Sequence, residues 1–138
     1  MPHRRVLVVD DEPRILEIVK YFLEQGGYEV EGVTTGEKAL AAARRTSFDI
    51  AVLDIVLAQD SGYEVAGKLK KIKTAENIPV LFMSSKVEMA DLFLENFDGR
   101  AEFLLKPFKK EALLEAVRGL LEGGGREAHR AAARAKKK

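Results

Sequence analysis

The chain contains no cysteine. Disulfides, thiolate metal sites and a cysteine nucleophile are therefore excluded, and the absence fits a reducing compartment. No apolar run approaches the roughly 18 residues that a membrane-spanning helix needs. The opening residues Met1-Pro2-His3-Arg4-Arg5 precede only a short apolar stretch, too short for the core of a signal peptide. An excess of one charge is missing too. Lys and Arg number 23 against 22 Asp and Glu, a formal net charge of +1, so no global field points to nucleic acid, a membrane surface or an acidic substrate. A cytoplasmic protein with neither membrane nor nucleic acid among its partners is expected. What is present is 138 residues, 46% hydrophobic and 33% charged. That is enough for one globular domain with a sizeable core and too little for two.

Short apolar runs alternate with longer stretches of helical period. Residues 6–9 are continuously apolar, the mark of a strand buried on both faces. Residues 12–25 carry Ile15, Val19 and Phe22 at helical spacing and are closed by Gly26-Gly27. A second strand is predicted over 28–33. Thr34 and Glu37 then stand in capping-box relation before an alanine-rich helix that reaches about Ser47. Residues 50–53 form the third strand, which ends on Asp54. A loop leads to Gly62 and a helix over 63–71, with Gly67 inside it at a cost of roughly 1 kcal/mol against alanine. Strands over 79–83 and 102–105 flank a helix over 87–97, and a last helix presents Leu113, Val117 and Leu120 on one face.

Five strand–helix alternations predict an α/β fold, a parallel sheet covered on both sides, because right-handed crossovers place helices over both faces. Composition shifts at Gly123-Gly124-Gly125. Residues 1–122 are expected to form the domain, and 123–138 a glycine-rich hinge and flexible basic tail.

Ligands of such sheets bind outside the carboxyl ends of the strands. Strand one ends in Asp10-Asp11, strand three in Asp54, strand four in Ser84-Ser85 and strand five in Lys106-Pro107. Three carboxylates, a hydroxyl and a lysine thus converge on one edge. Clustered carboxylates repel one another and favour a hard, oxygen-seeking cation such as Mg²⁺. One carboxylate could then attack phosphorus while a lysine ammonium stabilises charge spreading over the phosphoryl oxygens. A small hydroxyl at Ser84 could bond an oxygen of the attached group.

Asp10-Asp11 after an apolar strand, Asp54 closing another, Gly62, Ser84 and Lys106-Pro107-Phe108 together resemble the receiver domains of bacterial response regulators. The resemblance covers residues 4–121. It implies a flavodoxin-like fold with five helices and the strand order 2-1-3-4-5, the order found in the chemotaxis regulator of this family. It also implies that Asp54 is the phosphoacceptor, supplied by a sensor histidine kinase. Asp11 would be the direct Mg²⁺ ligand, Asp10 a second acidic residue acting largely through water, and Val56 the donor of a backbone carbonyl to the metal. Lys106 would contact the phosphoryl group, and the Lys106–Pro107 bond would be cis. Ser84 would be the switch hydroxyl and Phe103 the aromatic that follows it. Such a protein catalyses only its own phosphorylation and autodephosphorylation. Two departures stand out. Ala58 replaces a common proline, which implies a more mobile loop, and Gly99-Arg100 replaces a common Gly-Ala before strand five.

Each feature has a plainer alternative. Asp10-Asp11 alone could cap a helix, Ser84 could be a solvated strand end, and Phe103 a static core aromatic. His3 and His129 read as surface residues. Over 87–97, Met89, Leu92, Phe93, Leu94 and Phe97 cover a wide arc. This suggests a face for a downstream partner or a self-dimer, built by that helix, strand five and the last helix and including Phe93 and Phe97. A wide core segment is the alternative. In the tail, Arg126, Arg130 and Arg134 could form a basic stripe or remain solvated. A haloacid-dehalogenase-type phosphatase would need an aspartate two residues after its nucleophile, where this chain has Val56. A degenerate receiver, binding partners without phosphorylation, would lack part of the acidic set or the lysine, and none is missing here.

Overall fold

The computed structural model describes residues 4–86, 97 and 99–123. Five parallel strands form one sheet: β1 (Arg5–Val9), β2 (Glu29–Val33), β3 (Ile50–Asp54), β4 (Val80–Ser84) and β5 (Ala101–Leu105). Their spatial order is β2-β1-β3-β4-β5, as expected. The described helices are α1 (Pro13–Gln25), α2 (Gly36–Arg45), α3 (Gly62–Leu69) and α4 (Lys110–Leu121), with a 3₁₀ turn at Lys73–Ala75. Most of the helix expected over 87–97 lies outside the described residues, as do Phe93, His3, His129 and the basic tail.

Strand alternation divides the core in two. Val6, Val8, Ile50, Val52, Leu81 and Met83 face α1 and α4, meeting Val19, Leu23, Leu113, Val117 and Leu120. Leu7, Val9, Ala51, Leu53, Val80 and Phe82 face α2 and α3, where Ala39, Ala42 and Ala43 let α2 lie close to the sheet. Each large apolar side chain fully buried in this way contributes roughly 1.5–3 kcal/mol. No described helix is long and apolar enough to cross a membrane.

Several boundaries differ locally from expectation. The cap of α2 is Thr35, whose side chain accepts from the Lys38 amide, so the predicted Thr34–Glu37 box is displaced by one residue. Helix α3 ends at Leu69, short of the predicted Lys71, and its cap is Ser61, which accepts from the Glu64 amide. The backbone offers open space where a Cβ would stand at Gly67, so nothing in the packing requires glycine there. At Gly27, φ is +93°, which turns the chain out of α1 into β2.

Phe97 requires a correction. Rather than contributing to a partner face it is 7% exposed, its ring edge-on to Phe82 at 5.5 Å and to Tyr63 at 6.4 Å. Its apolar area is already satisfied inside the domain, which makes it a core residue.

Candidate functional site

The site is built at the carboxyl ends of β1, β3 and β5. Asp10 continues the alternation of Val6 and Val8, Asp54 that of Ile50 and Val52, and Lys106 that of Leu104. All three therefore lie on the α1/α4 side of the sheet. The Lys106 Nζ donates to Asp10 Oδ2 and to Asp54 Oδ2, both at 3.0 Å. The second oxygens are held by the backbone: Asp10 Oδ1 accepts from the Glu12 amide at 3.0 Å, and Asp54 Oδ1 from the Val56 amide at 3.2 Å. Asp10 is thus engaged with the start of α1, although the residue at the cap position is Glu12, whose side chain makes no capping bond. Asp11 is half-buried and, among the described residues, its carboxylate makes no hydrogen bond or ion pair. Carboxylate oxygens of Asp10, Asp11 and Asp54 all lie within 4.8 Å of one another.

Two carboxylates share one lysine here, both almost wholly buried, with Asp10 0% and Asp54 6% exposed. Burial raises the Asp54 carboxyl above the ordinary aspartate value; Lys106 opposes this, and the neighbouring Asp10 adds to it. For Lys106, burial alone would lower the ammonium, but its bonds to Asp54 and Asp10 outweigh that and leave it raised. Lysine therefore stays charged at neutral pH, and its stabilising contribution is lost only as pH rises past the ordinary lysine range. An all-oxygen donor set with surplus negative charge fits a hard divalent cation such as Mg²⁺.

The loop from β3 to α3 holds Asp54 in place. The Gly62 amide donates to the Ile55 carbonyl at 2.9 Å, the Leu57 amide to the Asp60 carbonyl at 3.2 Å, and Val56 and Ser61 form an antiparallel bridge. These ties close the loop around Ala58 without a proline. A Cβ at Gly62 would overlap the Asp54 carbonyl oxygen and stand 2.9 Å from its carbonyl carbon. Only glycine lets the start of α3 approach so near.

Ser84 and Phe103 stand apart from this group. Both share the parity of Phe82 and lie on the α2/α3 side. Ser84 is buried and its Oγ accepts from the Lys86 amide at 3.1 Å, while Phe103 is half-buried against the core. A backbone bond joins the two sets, the Lys106 amide donating to the Ser84 carbonyl at 2.9 Å. The Lys106–Pro107 peptide is cis.

Two clefts flank the site. One is an apolar groove between Ile15, Ile18 and Phe22 of α1 and Pro107-Phe108, reaching Lys106. The other, between the starts of α2 and α3, is more polar and is lined by Asp11, Thr35, Gln59, Asp60 and Lys68 among others. Sequence reasoning missed the groove, although Ile15, Ile18 and Phe22 at i, i+3 and i+7 were its signal. It also missed the Ser61 cap, which the spacing of Ser61 and Glu64 announces.

A five-stranded parallel sheet of this order, with an acidic cluster and a lysine at its carboxyl edge, defines a class that comparison with known proteins identifies. Residues 6–118 match the family model of the response regulator receiver domain, and the chain belongs to that family, the input half of two-component response regulators. Among curated proteins it is 35% identical over 118 residues to the DNA-binding dual master transcriptional regulator RpaA of Synechocystis sp., covering 85% of this chain and 48% of that protein. The chain spans about half the length of that relative and of several other transcriptional regulators it matches. Among solved structures, the chemotaxis response regulator CheY4 of Vibrio cholerae superposes with a TM-score of 0.78 at 27% identity, over 85% of this chain and 98% of that one. TrrA of Thermotoga maritima, solved in complex with Mg²⁺-BeF, gives 0.73 at 34% identity, over 85% and 98%.

Proposed function

We propose that this receiver accepts a phosphoryl group on Asp54 and so switches the surface it offers to a downstream partner. The observation that carries the reading is the Lys106 ammonium 3.0 Å from both Asp10 and Asp54, inside a cluster of three carboxylates. A carboxylate oxygen of Asp54 attacks phosphorus, and the bond from phosphorus to the donor breaks with its electron pair leaving on the donor. Lys106 offers its charge to the phosphoryl oxygens. Asp11, Asp54 and the Val56 carbonyl would hold Mg²⁺, with Asp10 acting through water. When bound, the ion would neutralise charge on the cluster and on the phosphoryl group. Asp11 suits a direct ligand because its carboxylate is the one left without a protein partner among the described residues. The Mg²⁺-BeF complex of TrrA supports the choice of metal.

The donor is a sensor histidine kinase. The apolar groove beside Lys106 suits its docking, because it brings a partner's apolar surface next to Asp54. Phosphorylation draws Ser84 towards the new oxygens, and Phe103 follows, shifting the population of the face formed by β5, α4 and the segment before β5. That face takes the downstream partner or a second copy of the chain. Phe97 is not one of its contacts. Beyond its own phosphorylation and autodephosphorylation the domain catalyses nothing.

Intact mass after incubation with acetyl phosphate and Mg²⁺, beside Asp54→Asn, tests the reading. One phosphoryl adduct on the parent, absent without Mg²⁺ and absent from the variant, is the expected result. A folded, Mg²⁺-binding parent that stays unmodified with acetyl phosphate and with histidine-kinase donors alike would overturn it in favour of a phosphorylation-independent binding module.

A further inference from the structure

The chain entering β5 is fastened on both faces of the sheet. On one side Phe97 is buried against Phe82, and the Lys70 Nζ lies 5.2 Å from its ring centroid. Gly99 follows with φ +137°, a conformation that favours glycine, and a Cβ there would also run into the Lys70 ammonium. The next residue turns the other way. The guanidinium of Arg100 donates to the Leu120 carbonyl, in the last turn of α4, while the Arg100 carbonyl accepts from the Val80 amide of β4 at 3.0 Å.

The end of a helix leaves carbonyls without intrahelical partners and carries partial negative charge, so a cation there is doubly favoured. Among the described residues, the last turn of α4 otherwise closes on its own backbone, Glu122 on the Arg118 carbonyl at 3.0 Å and Gly123 on the Leu120 carbonyl at 3.1 Å. Arg100 adds a tie from 20 residues away. An alanine at this position could not reach.

We infer that Arg100 is a clasp joining the entry of β5 to the exit of α4, so that the two open as one unit. The strand carrying Phe103 and the last turn of α4 then share one constraint. This inference stands apart from the phosphorylation chemistry and does not depend on it.

Amide hydrogen exchange on the full chain tests the clasp, comparing the parent with Arg100→Ala and Arg100→Lys. In Arg100→Ala, the amides of Glu122, Gly123 and Val80 should exchange at least tenfold faster, while those of β1 and β3 keep the parent's rates. Arg100→Lys should restore part of the protection, since an ammonium reaches a carbonyl without the planar fork. Asp54 labelling by acetyl phosphate should be unchanged in both. Exchange at Glu122 and Gly123 within twofold of the parent would overturn the clasp. So would faster exchange there without Val80 following, or an equal rise across β1 and β3, which marks a general loss of stability.

Discussion

The two faces of the sheet are furnished differently. The α1/α4 face carries Asp10, Asp54 and Lys106, tied to one another by side-chain bonds of 3.0 Å, and opens into an apolar groove. The α2/α3 face carries Ser84 and Phe103, packs through small alanines and opens into a polar cleft. Asp11 lines that cleft as well, so the acidic cluster spans both faces at the strand ends. A backbone bond, from the Lys106 amide to the Ser84 carbonyl, also joins the ends of β4 and β5.

This division can be probed from either side. The largest effect is expected at Gly62, which belongs to the α2/α3 side yet touches the Asp54 backbone. Gly62→Ala should cost about 2–3 kcal/mol by overpacking against main chain and weaken Mg²⁺ binding as Asp54 shifts. Urea unfolding with a Mg²⁺ titration measures both, and parental values for both would show that the close approach can relax.

Ile18, 47% exposed in the groove, tests the other face. Ile18→Glu should slow phosphotransfer from a histidine kinase about tenfold, roughly 1.4 kcal/mol, and leave labelling by acetyl phosphate unchanged. Equal losses with both donors would place the damage in the site rather than in docking.

A smaller effect concerns Asp54 itself. Burial raises its carboxyl, so the folded state favours the neutral form, and ionisation costs stability as pH rises above the ordinary aspartate range. Without metal, Asp54→Asn should be more stable than the parent at neutral pH, read as a higher Tm. The gap should close as pH falls into the aspartate range. A gap that widens on acidification would reverse the sign. The smallest expected change is Gly67→Ala on the outer side of α3, a gain of about 0.5–1 kcal/mol by thermal unfolding, with the phosphorylation rate unaltered.

Much of this was legible from the residues. Continuous apolar runs ending in Asp10 and Asp54 determine parallel strands with reactive groups at one edge, because a strand buried on both faces must be apolar throughout and can turn polar only where it emerges; β5, at the edge of the sheet, carries Glu102 and is only partly buried. Parity along each run already places Asp54 with Ile50 and Val52. Local signals failed where two candidates lay side by side. Thr34 and Thr35 can each cap a helix, and only the packed path of α2 selects Thr35. Phe97 read as one of several exposed apolar residues until Phe82 and Tyr63 were seen to enclose it.

The sequence by itself determined the sheet, its crossovers and the meeting of the acidic cluster with Lys106, since these follow from hydrophobic period and the geometry of parallel strands. Tertiary structure alone decided which helix covers which face, that Gly62 presses on Asp54, that α1 and Pro107-Phe108 share a groove, and that Arg100 reaches Leu120. Those contacts join residues far apart along the chain. Nothing in local propensity encodes them, and they exist only once burial has fixed where every element lies.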